Sequence, residues 1–151
     1  SGYDPFAPAS SEEDAYERIL ELDELISTSD VISLHVPLTS ETRNMIRFRE
    51  LQLMKSDAIL INTSRGAIID ESDLRSVLES GHLGGVALDV FNEEPYSGDL
   101  VGLPRTLLTP HLASNTFEAK SQMSKEAASL LARHISTVQS LNLQNKEGSK
   151  L

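Results

Sequence analysis

The feature that most constrains the fold is a regular alternation of short apolar runs with segments of helical periodicity. Four runs are almost continuously apolar and lack the in–out alternation of a half-exposed strand. They are residues 31–36, 58–61, 84–90 and 106–108, with residues 16–20 as a weaker fifth candidate. Such runs are typical of parallel strands covered on both faces. The alternation therefore predicts an α/β fold, with a parallel sheet flanked by helices and right-handed crossover connections.

Helical patterns occupy the gaps between these runs. Apolar residues recur at helical spacing in residues 22–26 and again at Phe48, Leu51 and Met54. A third segment has an acidic first turn from Asp70 and stops at Gly81, so its sequence marks both helix ends. From residue 115 an apolar stripe predicts a long C-terminal helix over 115–143, followed by a polar, frayed tail over 144–151.

Composition excludes several classes of function. The 151-residue chain has no cysteine, which rules out disulfide and thiolate chemistry and fits a cytoplasmic protein. Its net charge of −10 argues against nucleic-acid and anionic-membrane partners. The first residues lack the pattern of a secretory signal, and we expect no membrane-spanning segment because every apolar run is short.

In parallel α/β sheets, ligands bind at the carboxyl ends of the strands, so the residues that follow each strand are the candidates for function. After the first strand come His35 and Pro37; His35 could contact a ligand or simply pack beneath the loop. After the second come three polar residues, then Arg65 and Gly66. The guanidinium of Arg65 could hold a carboxylate, or it could cap a helix or pair with an acid. Gly66 permits either a positive φ or a close approach of two backbones.

The third and fourth strands are also followed by ionisable residues. Asp89 lies at the end of the third strand, and Glu94 directly precedes a proline in a loop that could otherwise be a solvated acidic turn. His111 lies between the fourth strand and the long helix, where the alternative is a capped helix start with Ser114 as N-cap. Arg65, Glu94 and His111 together form a chemically complete set: a carboxylate clamp, a group that orients the histidine, and a proton donor.

Four motifs in this order resemble the NAD-dependent D-2-hydroxyacid dehydrogenases, the family of D-3-phosphoglycerate, D-lactate and glycerate dehydrogenases. The motifs are "SLHVPLTSET" (33–42), "INTSRGAIIDESDL" (61–74), "GGVALDVFNEEP" (84–95) and "LLTPHLASNT" (107–116). The resemblance implies a partial Rossmann-like fold and hydride transfer between NAD and a small D-2-hydroxy or 2-oxo acid. It implies no metal, and it makes a homodimer the expected assembly.

The resemblance also implies a role for each matched catalytic position. Arg65 matches the arginine that binds the substrate's carboxylate and carbonyl oxygen. His111 matches the acid/base that protonates this oxygen, and Glu94 matches the residue that orients the histidine. A carboxylate beside an imidazole favours the protonated ring, which agrees with these roles.

The same resemblance places a set of residues at the cofactor. Asp89 matches a residue at the nicotinamide carboxamide, and Asp4 matches the acid that accepts hydrogen bonds from the adenine ribose, which favours NAD over NADP. The remaining positions carried over to the cofactor are His35, Val36, Pro37, Thr63, Ser64 and Ser114.

The chain departs from the family pattern because its sequence begins where the second strand of the nucleotide fold should be ending. We therefore expect residues 1–114 to form a partial NAD-binding domain without its first strand and glycine-rich loop, which would weaken NAD binding. The 115–143 helix would pack toward a substrate domain, as it does in the family. Two alternatives to a truncated enzyme stay open: an inactive interaction module, like the corepressors of the same family, and a non-functional fragment.

Overall fold

The computed structural model describes residues 1–6, 17–19 and 21–148. The chain divides into two compact units, Ser1–His111 and Leu112–Leu151. The first unit contains all four strands and three of the α-helices, and the second contains the long C-terminal helix. All residues proposed for catalysis therefore belong to the first unit.

Four parallel strands form the sheet of the first unit. They are β1 (Val31–Leu34), β2 (Ile59–Asn62), β3 (Gly85–Leu88) and β4 (Thr106–Leu108), and they lie side by side in chain order. Each neighbouring pair is parallel. The predicted parallel α/β sheet is confirmed. Strand β1 is two residues shorter than predicted and β3 is three residues shorter, whereas β2 is shifted by one residue and β4 is unchanged.

Three helices connect or precede the strands: α1 (Leu22–Thr28), α2 (Phe48–Leu53) and α3 (Glu71–Ser80). The ends of α3 are those that its sequence predicts. The Asp70 side chain accepts hydrogen bonds from the backbone N–H groups of Ser72 and Asp73, and Gly81 takes a left-handed conformation with φ 76°. A one-turn 3₁₀ helix, Gly66–Ile68, lies between β2 and α3.

The hydrophobic core lies between these helices and one face of the sheet. The face contributes Ile32 and Leu34 from β1, Leu60 from β2, and Val86 and Leu88 from β3, all at most 6% exposed. Buried residues of the three helices complete the same cluster: Ile26, Leu51, Leu74, Val77 and Leu78.

The other face of the sheet differs from the prediction that both faces are covered. Val31, Ile59 and Leu107 on this face are 42–64% exposed. The strand order gives the reason, because right-handed crossovers between strands laid down successively in one direction place their helices on the same side. The apolar sequence of these strands is that of a two-sided sheet, whereas the helices that connect them cover one side.

The C-terminal unit contains α4 (Phe117–Gly148), which ends five residues beyond the predicted helix. No proline interrupts residues 144–148, so the sequence does not require the helix to stop at residue 143. Ser114 is not the N-cap of this helix: the backbone N–H of Ala119 donates to the hydroxyl of Thr116, which lies directly before Phe117. Among the described residues, no helix is both long and apolar enough to cross a bilayer.

At the N-terminus, Gly2 and Arg18 form an isolated parallel bridge. The Gly2 N–H donates to the Glu17 carbonyl, and the Ile19 N–H donates to the Gly2 carbonyl (2.8 and 2.9 Å). Tyr16 and Leu20, the outer residues of the weakest predicted strand, lie outside the described residues. Its described centre, 17–19, forms this short pairing and is not part of the four-stranded sheet.

Candidate active site

The carboxyl ends of the four strands are level with one another. Leu34 pairs with Asn62, Asn62 with Leu88, and Leu88 with Leu108. The segments that follow these residues therefore leave the sheet at one edge, which is where parallel α/β sheets bind ligands. Arg65, Asp89, Glu94 and His111 all belong to these segments, as the sequence predicts.

The turn that carries Arg65 is organised by Asn62, whose side chain is only 1% exposed. Its amide oxygen accepts hydrogen bonds from the Ser64 N–H (3.0 Å) and the Ser64 hydroxyl (2.9 Å). Its amide nitrogen donates to the Arg65 carbonyl (2.9 Å). The residue thus closes the turn from both ends. The residue assignments made from sequence omit Asn62, although a polar residue that ends a buried apolar run is a visible signal of such a role.

The guanidinium of Arg65 is exposed, and its Nη1 donates a hydrogen bond to the Ser64 carbonyl (2.6 Å). The ion pairs recorded among the described residues do not include Arg65. Within the part of the chain that the structure describes, the Arg65 side chain neither caps a helix nor pairs with a carboxylate, so neither structural alternative is observed there. A charged fork held at the edge of the sheet can bind an external carboxylate through two parallel hydrogen bonds.

Gly66 brings the arginine turn against the loop that carries Glu94. A Cβ at Gly66 would lie 2.0 Å from the carbonyl carbon and 2.3 Å from the carbonyl oxygen of Phe91. Gly66 is not among the glycines with positive φ, so its role is the close approach of two backbones. The arginine segment and the acidic loop are thereby packed directly on each other.

Glu94 joins this packed pair of segments to His111. One carboxylate oxygen, Oε2, lies 2.8 Å from Nδ1 of His111, and the other, Oε1, accepts a hydrogen bond from the Phe91 N–H (3.1 Å). The hydrogen bond with His111 comes first among the causes that lower the pKa of the Glu94 carboxyl, followed by the bond from Phe91. A continuous series of contacts therefore runs from Gly66 through Phe91 and Glu94 to His111.

The backbone at His111 is unusual. Its φ is 55°, in the left-handed region that residues other than glycine seldom adopt. Its N–H donates to the Thr109 carbonyl (3.0 Å), which closes a tight turn around Pro110. Strained conformations of this kind are concentrated at functional sites, where the surrounding contacts hold them.

Asp89 is a buried carboxylate at this edge, 5% exposed. Its Oδ1 accepts a hydrogen bond from the Thr109 hydroxyl (2.5 Å), and its N–H donates to the Asn62 carbonyl (3.0 Å). Asp89 therefore links three strand ends. Thr109 is a further residue that the sequence assignments omit, because its partner is 20 residues away in the chain.

The other positions assigned to the cofactor differ in their surroundings. His35 is exposed and its Nε2 lies 2.9 Å from the Ser33 hydroxyl, so it is not packed beneath the loop. Thr63 is exposed, whereas Val36 and Ser64 are half-buried. The carboxylate of Asp4 is exposed and accepts a hydrogen bond from the Phe6 N–H (2.9 Å). Pro37 is exposed, and Ser114 belongs to the C-terminal unit, so the binding roles of these residues stay predictions.

The hydrogen bonds to Glu94 give a prediction about acid stability. Because its pKa is lower in the folded chain than its ordinary value of 4.5, its contribution to stability is present above that value. The contribution is lost as pH falls through the lowered folded pKa. We expect Glu94→Gln to unfold with a shallower pH dependence than the parent chain below about pH 4.5.

Urea unfolding at a series of pH values from about 6 down to about 3 measures this difference. Glu93→Gln is the matched control, since it removes the neighbouring exposed carboxylate. The prediction would be contradicted if the free energy of unfolding fell equally with pH in the parent chain and in Glu94→Gln. It would also be contradicted if Glu93→Gln changed the pH dependence as much as Glu94→Gln.

Comparison with known proteins identifies the family. Residues 1–113 match the family model described as "D-isomer specific 2-hydroxyacid dehydrogenase, NAD binding domain". Among curated proteins, a glyoxylate reductase of Thermococcus litoralis is 44% identical over 138 residues, covering 91% of this chain and 42% of the relative. A D-3-phosphoglycerate dehydrogenase of Methanocaldococcus jannaschii is 40% identical over 139 residues, covering 91% of this chain and 26% of the relative.

Solved structures give the same result. The D-mandelate dehydrogenase of Rhodotorula graminis superimposes with a TM-score of 0.73 at 31% identity, over 82% of this chain and 36% of that one. A glyoxylate reductase of Paecilomyes thermophila has a TM-score of 0.66 at 40% identity, over 72% of this chain and 33% of that one. The resemblance, the Rossmann-like fold class and NAD as the cofactor of the family are thus confirmed. The chain spans less than half the length of these relatives.

Proposed function

Because the chain belongs to the D-isomer specific 2-hydroxyacid dehydrogenases, we propose that its active-site edge serves the reduction of a small 2-oxo acid by NADH, and the reverse oxidation. In this proposal Arg65 binds the carboxylate of the acid, His111 exchanges a proton with its oxygen, and Glu94 orients His111. The cofactor supplies the hydride when it is bound. Several curated relatives are named glyoxylate reductases, so glyoxylate is the first substrate to assay.

The observation that carries the proposal is the hydrogen bond between Glu94 Oε2 and His111 Nδ1. With Nδ1 engaged by the carboxylate, proton exchange with a substrate falls to Nε2, the opposite atom of the ring. The carboxylate also stabilises the imidazolium form, which is the form that donates a proton to a carbonyl oxygen as hydride arrives. The imidazole is about half exposed, so a substrate can reach it.

The packing between the two segments supports the role of Arg65. Gly66 packs on Phe91, and the Phe91 N–H donates a hydrogen bond to Glu94. These contacts hold the arginine turn in a fixed position relative to Glu94 and His111. A substrate that binds Arg65 through its carboxylate would therefore meet a proton donor in a reproducible position. Fixing reacting groups in this way accounts for much of the rate gain in two-substrate reactions.

Two of the carboxylates assigned to the cofactor suit a dinucleotide in their chemistry. Asp89 offers a buried, oriented carboxylate that could accept a hydrogen bond from a carboxamide. Asp4 offers an exposed carboxylate, which suits ribose hydroxyl donors and repels a 2′-phosphate. We propose these two residues, with His35–Pro37, Thr63, Ser64 and Ser114, as the cofactor contacts. A homodimer and a cytoplasmic location also remain predictions.

Calorimetric titration with NADH tests the proposal. We expect saturable binding with a Kd of about 0.1–1 mM, which corresponds to roughly 4–5.5 kcal/mol. NADPH should bind more weakly, because its 2′-phosphate would lie near the Asp4 carboxylate. Addition of glyoxylate to the chain with NADH should then consume NADH.

Asp4→Asn is the matched variant for cofactor choice, because it keeps the shape of the side chain and removes its charge. Asp4→Asn should reduce the difference between the Kd of NADH and the Kd of NADPH. If NADH does not bind at about 10 mM, the proposal fails for this chain, and the interaction-module alternative becomes the better account.

A further inference from the structure

The loop that carries Glu94 has an anchor outside the three proposed catalytic residues. The backbone N–H of Asn92 donates to Oε1 of Glu71 at 2.7 Å, across 21 positions of the chain. This distance is short for an N–H···O bond and is typical of a charged acceptor. Glu71 is half-buried, so its carboxylate is partly shielded from competing water.

The position of Glu71 gives this bond its significance. Glu71 is the first residue of α3, and the Asp70 cap fixes the start of that helix. The same helix follows the 3₁₀ turn after Arg65. The segment that carries the arginine therefore holds the acidic loop at two points: Gly66 packs on Phe91, and Glu71 accepts the next backbone N–H, that of Asn92.

The remainder of the loop is held by its own residues. The rings of Phe91 and Tyr96 are stacked with centroids 4.1 Å apart, and the Tyr96 hydroxyl accepts a hydrogen bond from the Leu100 N–H (3.2 Å). The bond from the Phe91 N–H to Glu94 is internal to the loop as well. None of these contacts fixes the turn at Asn92 relative to α3, which is what Glu71 does.

We propose that Glu71 is a positioning residue that holds the turn at residues 91–94 so that the Glu94 carboxylate meets His111. Glu71 acts through the backbone of Asn92 and touches neither the substrate nor the cofactor. The catalytic consequence rests on the proposed function, whereas the structural consequence does not. A second role is possible for any acid at this position, because a negative charge in the first turn stabilises a helix.

Three variants separate these roles. Glu71→Gln removes the charge and keeps an acceptor oxygen at the same reach. Glu71→Asp keeps the charge at the helix start but is one methylene shorter, so its carboxylate falls short of the Asn92 N–H. Glu71→Ala removes both. Glu79→Ala, on the exposed side of the same helix, controls for loss of a surface carboxylate.

The principal readout is the pKa of Glu94, measured by NMR in the 151-residue chain from the pH dependence of the chemical shift of its carboxyl carbon. Glu94 reports the geometry because the hydrogen bonds from His111 and Phe91 lower its pKa, whereas desolvation and the nearby charge of Asp89 act in the opposite direction. We expect Glu71→Ala and Glu71→Asp to raise this pKa to its ordinary range. Glu71→Gln and Glu79→Ala should leave it lowered. Hydrogen exchange of the Asn92 backbone amide should become about tenfold faster in Glu71→Ala and Glu71→Asp only.

Glyoxylate reduction gives the second readout. Glu71→Ala and Glu71→Asp should lose about tenfold in kcat, with KM changed by less than about twofold. Glu71→Gln should keep most of the parent rate. A lowered Glu94 pKa in Glu71→Asp would overturn the proposal, and so would equal effects of Gln and Asp. If the parent chain has no activity, the proposed function fails while the titration still decides the role of Glu71. If Glu71→Ala does not fold, the Asp and Gln pair decides it.

Discussion

Arg65→Ala is expected to lower kcat/KM for glyoxylate about a thousandfold while changing the Kd of NADH by less than about twofold. The side chain is exposed at the sheet edge, and none of the ion pairs among the described residues includes it. Its fork is therefore available to an external carboxylate. Two charge-assisted hydrogen bonds, at about 1.5–3 kcal/mol each, together contribute about 3–6 kcal/mol. About 4 kcal/mol of this corresponds to the thousandfold change.

Steady-state kinetics and NADH titration measure the two quantities separately. Arg65→Lys keeps the charge but loses the planar fork, so it should recover only part of the loss. Arg75→Ala is the control for removal of a positive charge, because Arg75 is paired with Glu79 and Asp99 on the surface of α3. An Arg65→Ala chain that keeps its kcat/KM, or an Arg75→Ala chain that loses as much, would contradict the assignment of Arg65 as the carboxylate clamp.

Gly66→Ala is expected to have the largest effect on stability. An added methyl would overlap the backbone of Phe91, with contacts of 2.0–2.5 Å to three of its atoms. Backbone atoms cannot move aside as a flexible side chain can, so the two segments must separate. Overpacking of this severity costs about 3 kcal/mol. For a domain of this size that lowers the Tm by roughly 10 °C.

Gly102→Ala is the matched control. A Cβ at Gly102 has no atom within 4 Å, but Gly102 has φ 83°, so alanine there carries only the backbone strain of about 1 kcal/mol. Thermal unfolding of both variants separates the steric cost from the conformational cost. Equal losses in the two variants would show that crowding against Phe91 is not what requires glycine at position 66. Gly66→Ala should also raise the pKa of Glu94, since Phe91 is one of its donors.

Local sequence signals located much of the fold and most of the candidate site. The acidic turn at Asp70 and the terminal glycine at Gly81 set the ends of α3, because both act through bonds within a few residues. The apolar runs located the four strands, because each strand is short and its burial requires apolar residues within that short stretch of sequence. Arg65, Glu94 and His111 were found because parallel strands must bring their carboxyl ends to one edge.

Contacts between distant segments could not be read in the same way. Sequence left two explanations for Gly66, and only the packing of Phe91 against it decides for a close backbone approach. The hydrogen bond from the Thr109 hydroxyl to Asp89 and the hydrogen bond from the Asn92 N–H to Glu71 carry no distinct local pattern. The prediction that both sheet faces are covered was wrong for the same reason, since strand order is a property of the assembled sheet.

The sequence by itself thus determined which elements form and which ionisable residues end them, because helix caps, strand periodicity and chain direction act over short distances. The tertiary structure alone decided how the site is held together. Gly66 on Phe91 and Glu71 on Asn92 join positions 25 and 21 residues apart. Such contacts form only after the chain has paid the entropy of closing the intervening loops, and burial and register, which belong to the whole fold, select them.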